Sequence, residues 1–203
     1  MSSLQASRSR ATQQKLLDAA FLEVYHHGFQ LASLDDIAAA AGVSKGALFH
    51  HFAGKQALGY ALLDDVITPL LRARWLAPLA STDDPITVLQ ELFQRYIGED
   101  IAAGNCRYGC PLNNLAQEMS PVDEGFRIRL DELYASWRKV ITAALRRGQR
   151  AGTVRPDADA KGAAMLTIFS QMGIWGTGKL SQDPKLMRRA GRAFCACLDR
   201  LRP

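Results

Sequence analysis

The chain has 203 residues, 48% of them hydrophobic, and 25 Lys and Arg against 20 Asp and Glu give a net charge of +5. That length holds one domain or two small ones with a full core. There is no run of about 18 apolar residues and no apolar leader after MSSLQASRSR, so a soluble, cytoplasmic chain without a membrane span is expected.

The positive excess suits a nucleic-acid partner without locating one. Residues 1–55 carry five Lys or Arg against four acids, and most of the excess lies in 124–155 and 185–202. Those later stretches read as solvated helix faces rather than a second nucleic-acid surface.

In chain order, residues 1–9 are expected to form a flexible arm. An amphipathic helix follows, with Leu16, Leu17, Ala20, Phe21 and Val24 on one face, ended by Gly28 with Phe29 tucked into the core. The next stretch, SLDDIAAAAGVSKGALFHHF from Ser33 to Phe52, reads as two short helices joined by a tight turn. Ser33 can cap the first helix with Asp36 three residues on, and Ile37, Ala38 and Ala41 form its apolar face. Gly42 stops that helix in a left-handed conformation, and Ser44 caps the second. This is a helix-turn-helix, whose second helix is presented to the DNA major groove.

Each residue type in the second helix suits that task. Ser44 and the first free amides suit a phosphate oxygen, and Lys45 can reach a phosphate or a guanine edge. Gly46 and Ala47 let the backbone approach base edges. His50 and His51 offer hydrogen bonds at the helix end, Lys55 reaches another phosphate, and Leu48 and Phe52 anchor the helix to its core. By pattern alone, an ordinary helical hairpin with a polar second helix remains an equal alternative.

Beyond residue 55 the chain reads as helix throughout. A long helix at 55–71, bent near Pro69, is followed by helices near 86–102, 112–119, 126–152, 157–180 and 184–201. The expected architecture is all-α with about nine helices. It comprises the arm, a three-helix DNA-binding domain at 10–56, and a larger helical domain at 57–203, to which the family resemblance given next assigns effector binding and dimerisation.

The run from Thr12 to about Leu63 resembles the DNA-binding domain of the TetR family of bacterial repressors. The resemblance rests on an amphipathic helix ending in HGF, then SLDDIAAAAGVSKGALFHHF, then GKQAL opening the next helix. It implies a homodimer that binds a palindromic double-stranded operator and is released by a small-molecule effector. It also carries Ser33, Ser44, His51 and Lys55 over as phosphate contacts. Phe49 stands where the family usually has Tyr, keeping the packing and losing the hydroxyl.

The last two helices are the expected dimer contact, through Ile168, Trp175, Met187, Phe194 and Leu198, although periodicity alone allows both faces to pack within the monomer. Tyr96, Cys110, Asn113, Asn114, Trp137, Phe169 and Met172 are the candidate effector contacts, an apolar wall with a few polar groups. The segment GCPLNNLAQEMS resembles one that sits beside the effector in a subgroup of TetR-like regulators.

Of the four cysteines, Cys195 and Cys197 read as packing residues. Cys106 beside Arg107, together with Cys110, could serve as a thiol switch. All four histidines lie in the DNA-binding part, so neither a metal nor another cofactor is expected. No catalytic motif is present and no enzyme activity is expected. Three readings follow: a ligand-responsive repressor, a cysteine-based redox or electrophile sensor on the same scaffold, and a helical interaction protein without DNA binding.

Overall fold

A computed structural model describes residues 3–203, and among these there is helix and no strand. The helices are α1 (Ser3–His27), α2 (Leu34–Ala40), α3 (Lys45–His51), α4 (Lys55–Leu62), α5 (Thr68–Leu71), α6 (Pro85–Ala102), α7 (Pro111–Met119), α8 (Glu124–Ala151), α9 (Ala160–Ser181) and α10 (Pro184–Asp199). Taking α4 and α5 as one irregular rod gives nine helices among the described residues.

Two expectations about these elements are corrected. The arm expected at residues 1–9 is helical from Ser3 onward, because SLQASRSRATQQ contains neither Pro nor Gly to stop the helix; residues 1 and 2 lie outside the described residues. The single bend expected near Pro69 is instead two π-helical segments, Leu63–Ile67 and Arg72–Leu76, on either side of α5. Pro69 has no N–H to return to the helix, and the wider turns flank the segment that contains it.

The chain divides into two compact units. The first comprises Met1–Leu70 and Asn114–Ile128, the second Leu71–Asn113 and Arg129–Pro203. This division differs from the domains expected at 10–56 and 57–203, because most of α7 and the first turn of α8 group with the first unit. Phe126, fully buried on α8, explains the grouping. Its ring packs edge-on against Phe29 (centroids 5.0 Å apart) and Tyr60 (4.9 Å). Gly59 makes room for this cluster, since a Cβ there would overlap both the Phe29 and Phe126 rings.

The first unit's core holds most of the residues that helical periodicity picked out, while Phe21, Val24 and Ala41 are only half-buried. Leu16, Leu17 and Ala20 of α1 meet Ile37 and Ala38 of α2, Leu48 of α3, Phe52, and Leu58 and Leu62 of α4, all buried. The second unit packs α10 against α6 and α9. Its centre is aromatic: Trp75 lies within 6.0 Å, centroid to centroid, of Phe93, Tyr96, Trp137 and Trp175, and Phe93 lies 4.6 Å from Phe194.

Candidate nucleic-acid interface and effector site

The helix-turn-helix is built from local hydrogen bonds that its sequence supplies. Ser33 Oγ accepts from the Asp36 amide at 3.3 Å and Ser44 Oγ from the Ala47 amide at 3.1 Å, so each short helix has its N-cap. Gly42, at φ +66°, makes the left-handed turn between them, and the Val43 amide closes back onto Ala38 O at 3.0 Å. With Leu48 and Phe52 buried behind it, α3 turns Lys45, Gly46, Phe49 and His50 to solvent, beside the exposed Ser44. Ser33, Ala47, His51 and Lys55 are half-buried.

Two of the expected phosphate-binding cations have partners within the chain. Lys45 Nζ reaches Asp35 Oδ1 at 2.7 Å, an exposed pair of little net worth that a phosphate can displace. Lys55 Nζ donates to Gln30 O at 2.7 Å and sits 5.4 Å from the Phe29 ring centroid. Glu118 of α7 covers the other side of that turn, accepting from the Phe29 and Gln30 amides at 2.8 and 2.7 Å. The turn after α1, opened by Gly28 at φ +87°, is thus gripped by side chains of opposite charge. Sequence reasoning missed Glu118, whose partners lie 88 and 89 positions away.

The second unit corrects the candidate effector residues. Phe169 is 58% exposed on α9 and lines no interior site. Asn114 falls in the first unit, not with Asn113. Tyr96 is buried, but its polar end is committed: its hydroxyl donates to Arg74 O at 2.9 Å and accepts from Arg95 at 2.7 Å. The Arg74 and Arg95 guanidinium groups also lie 4.0 and 4.6 Å from its ring centroid. Cys110, Asn113 and Trp137 do come together, with Met172 of α9 half-buried.

Two further residues complete that cluster. Gln171, 2% exposed, hydrogen-bonds Cys110 through its side chain, and Tyr134 stacks on Trp137 with centroids 6.1 Å apart. The lone Gln in the otherwise apolar α9 stripe was the available signal for the first. Tyr134 read as one more core aromatic.

The residues expected at the dimer contact form part of the single chain's own core. Ile168, Trp175, Met187, Phe194 and Leu198 are all buried within the single chain. Trp175 also donates its Nε1–H to Asp100 Oδ2 at 2.6 Å. Burial pushes that carboxyl above its usual range despite the indole bond. The apolar side chains that α9 and α10 leave exposed are Met165, Leu166, Phe169, Leu180 and Leu186.

The thiols do not have the environment expected of a switch. Burial first, then the charge of Asp100, raises the Cys106 pKa. Arg107, expected to lower it, lies instead over the Tyr108 ring at 4.6 Å. Burial also pushes Cys110 up. Cys195 is buried and Cys197 exposed, on different faces of α10, and all four are free thiols.

Residues 16–62 match the pattern of the bacterial regulatory proteins of the tetR family, and residues 85–194 that of the tetracyclin repressor-like C-terminal domain. The chain belongs to the TetR family. Among curated TetR-family relatives, the transcriptional regulator AcuR of Cereibacter sphaeroides is 29% identical over 181 residues, covering 89% of this chain and 82% of AcuR. The transcriptional repressor DhaR of Mycobacterium sp. is 29% identical over 153 residues, covering 75% of this chain and 73% of DhaR. A regulatory protein TetR from Rhodobacter sphaeroides superposes with a TM-score of 0.76 at 26% identity, covering 90% of this chain and 96% of its own. The protein is thus a TetR-family transcriptional regulator with an N-terminal helix-turn-helix DNA-binding domain. No described helix is long and apolar enough to cross a membrane.

Proposed function

We propose that this regulator binds a palindromic operator as a homodimer, represses transcription there, and is released by a small molecule held in the second unit. The observation that carries the reading is α3. It is capped by Ser44, buried through Leu48 and Phe52, and directs Lys45, Gly46, Phe49 and His50 outward. Gly46, beside the exposed Ser44 and Lys45, leaves the first turn of that helix open to close approach by base edges and phosphates.

Dimerisation is supported by the row Met165, Leu166, Phe169 and Leu180 on α9 with Leu186 on α10, apolar surface that water would otherwise cover. Two-fold symmetry of the protein then calls for two-fold symmetry of the operator. The redox alternative is disfavoured by the burial that keeps Cys106 and Cys110 protonated, because the thiolate is the reactive form.

The test is selection of bound fragments from genomic DNA, followed by titration of the selected operator at several salt concentrations. Lys45→Ala is expected to weaken binding and to reduce the slope of log affinity against log salt by about one unit. A protein with no salt-sensitive preference for any fragment over random DNA would refute the repressor reading.

A further inference from the structure

Four buried polar atoms of the second unit make no hydrogen bond: Asn113 Oδ1, the Tyr134 hydroxyl, Trp137 Nε1 and Gln171 Oε1. The residues that carry them are neighbours, linked through Cys110 and Tyr134. Cys110 is hydrogen-bonded by the Leu112 and Asn113 amides and by the Gln171 side chain, and it interacts electrostatically with Tyr134. Tyr134 stacks on Trp137, and Trp75 meets the same indole at 5.7 Å. Asn113 also faces α9, its Nδ2 being 3.8 Å from where a Cβ on Gly176 would stand.

Folded proteins leave few such atoms unpaired, because each carries a desolvation cost that nothing offsets. Four on neighbouring residues of α7, α8 and α9 point to a partner that is not part of the fold. Trp75, which walls the site, belongs to the π-helical segment Arg72–Leu76, an irregularity that recurs at functional sites.

The atoms specify the partner's chemistry. Asn113 Oδ1 and Gln171 Oε1 accept, so the ligand must supply N–H or O–H donors. Trp137 Nε1 only donates, so the ligand must also supply an acceptor. The Tyr134 hydroxyl can do either and stays protonated, since burial holds its pKa far above the ordinary value. No Lys, Arg or His is among the groups that act most on Cys110 or Tyr134. The ionised group that Cys110 does feel is Asp100, which is negative. An anion would enter without a counter-charge, at a cost that pairing alone could offset.

We infer that this cluster seats the effector and selects an uncharged planar molecule with two N–H donors and a carbonyl acceptor, a primary carboxamide, over the matching carboxylate. This rests on the reading of the chain as a ligand-responsive regulator. The two α7 residues Cys110-flanking Asn113 and its neighbour Leu112 fix the site's edge, and Gln171 supplies its polar specificity from α9.

The experiment uses the full-length protein with 15N-labelled tryptophan and two isosteric probe pairs, acetamide with acetate and benzamide with benzoate, plus toluene as an apolar control. At least one amide is expected to shift the Trp137 indole N–H resonance saturably and to raise the Tm. Its carboxylate partner should need at least tenfold higher concentration. Gln171→Leu should weaken the amide at least fivefold and leave toluene unaffected; Asn113→Ala is the second variant should the first fail to fold. Overturning results are a carboxylate or toluene that binds as well as the amide, or no saturable response to either amide. The last result, with rapid exchange of the Trp137 indole proton with solvent, would assign the four atoms to internal water. Operator titrations run in parallel separate the two readings. Amide binding that leaves operator affinity unchanged keeps the site but removes its effector role, and absence of operator binding without any amide counts against the repressor reading alone.

Discussion

Removing the Glu118 carboxylate should loosen the turn that follows α1. Glu118 accepts from the part-buried Phe29 amide at 2.8 Å and from the more exposed Gln30 amide at 2.7 Å. A hydrogen bond to a charged acceptor contributes about 1.5–3 kcal/mol, and an exposed one falls towards the lower figure for neutral pairs, about 0.5–1 kcal/mol. Glu118→Ala is therefore expected to cost about 2–4 kcal/mol in the first unit. Glu118→Gln, which retains one acceptor oxygen without the charge, should cost about 1 kcal/mol. For a chain of this size, about 2–4 °C of Tm per kcal/mol translates the first loss into about 4–16 °C. Native-state hydrogen exchange provides the local assay, because the Phe29 and Gln30 amides should exchange faster in both variants, in the order Ala then Gln. Operator affinity should fall in the same order, since that turn leads into α2 and fixes where α3 stands within the unit. If Glu118→Ala unfolds within about 0.5 kcal/mol of wild type, below the smallest contribution assigned here, with exchange at Phe29 and Gln30 unchanged, the clamp is not holding the turn.

Phe169→Asp should yield a folded monomer by light scattering, because Phe169 is exposed in the single chain, whereas Trp175→Asp should fail to fold because Trp175 is buried; a dimeric Phe169→Asp protein would place the contact elsewhere. Asp123, hydrogen-bonded by Gln56 at 2.6 Å, by the Phe126 amide at 2.9 Å and by Tyr60 at 2.7 Å, is held below the usual carboxylate range by these bonds. Because its folded pKa is the lower one, its stabilisation is complete above the unfolded value of about 3.9 and is lost as pH falls through the folded value. Asp123→Asn should accordingly flatten the fall of Tm with pH below about 4, and an unchanged acid limb would count against it. Cys106 and Cys110 should resist iodoacetamide at neutral pH in the native protein and react on unfolding, followed by mass spectrometry; rapid native alkylation of Cys106 would restore the thiol-switch reading.

The amino-acid sequence by itself determined the helix-turn-helix. Its signals are short-range: Ser33 and Ser44 cap the helices that follow them, Gly42 supplies the left-handed residue, and Leu48 and Phe52 recur on one face of α3. Interactions spanning three or four residues do not wait on the rest of the fold. The caps, the turn and the buried face all stand where these residues put them. Tertiary structure decided everything that required a choice between faces or a distant partner. Both sides of α9 are apolar, so periodicity could not say that Trp175 would be buried and Phe169 left outside. Asn113 and its neighbour Asn114 are chemically alike, and only the packing of α7 sends them to different units. Gln171 and Tyr134 are neighbours of Cys110 only because α8 and α9 bring them there. Glu118 found its amides nearly ninety positions away, for the physical reason that a buried polar group takes its partner from whatever the folded chain places beside it, and sequence separation has no bearing on that.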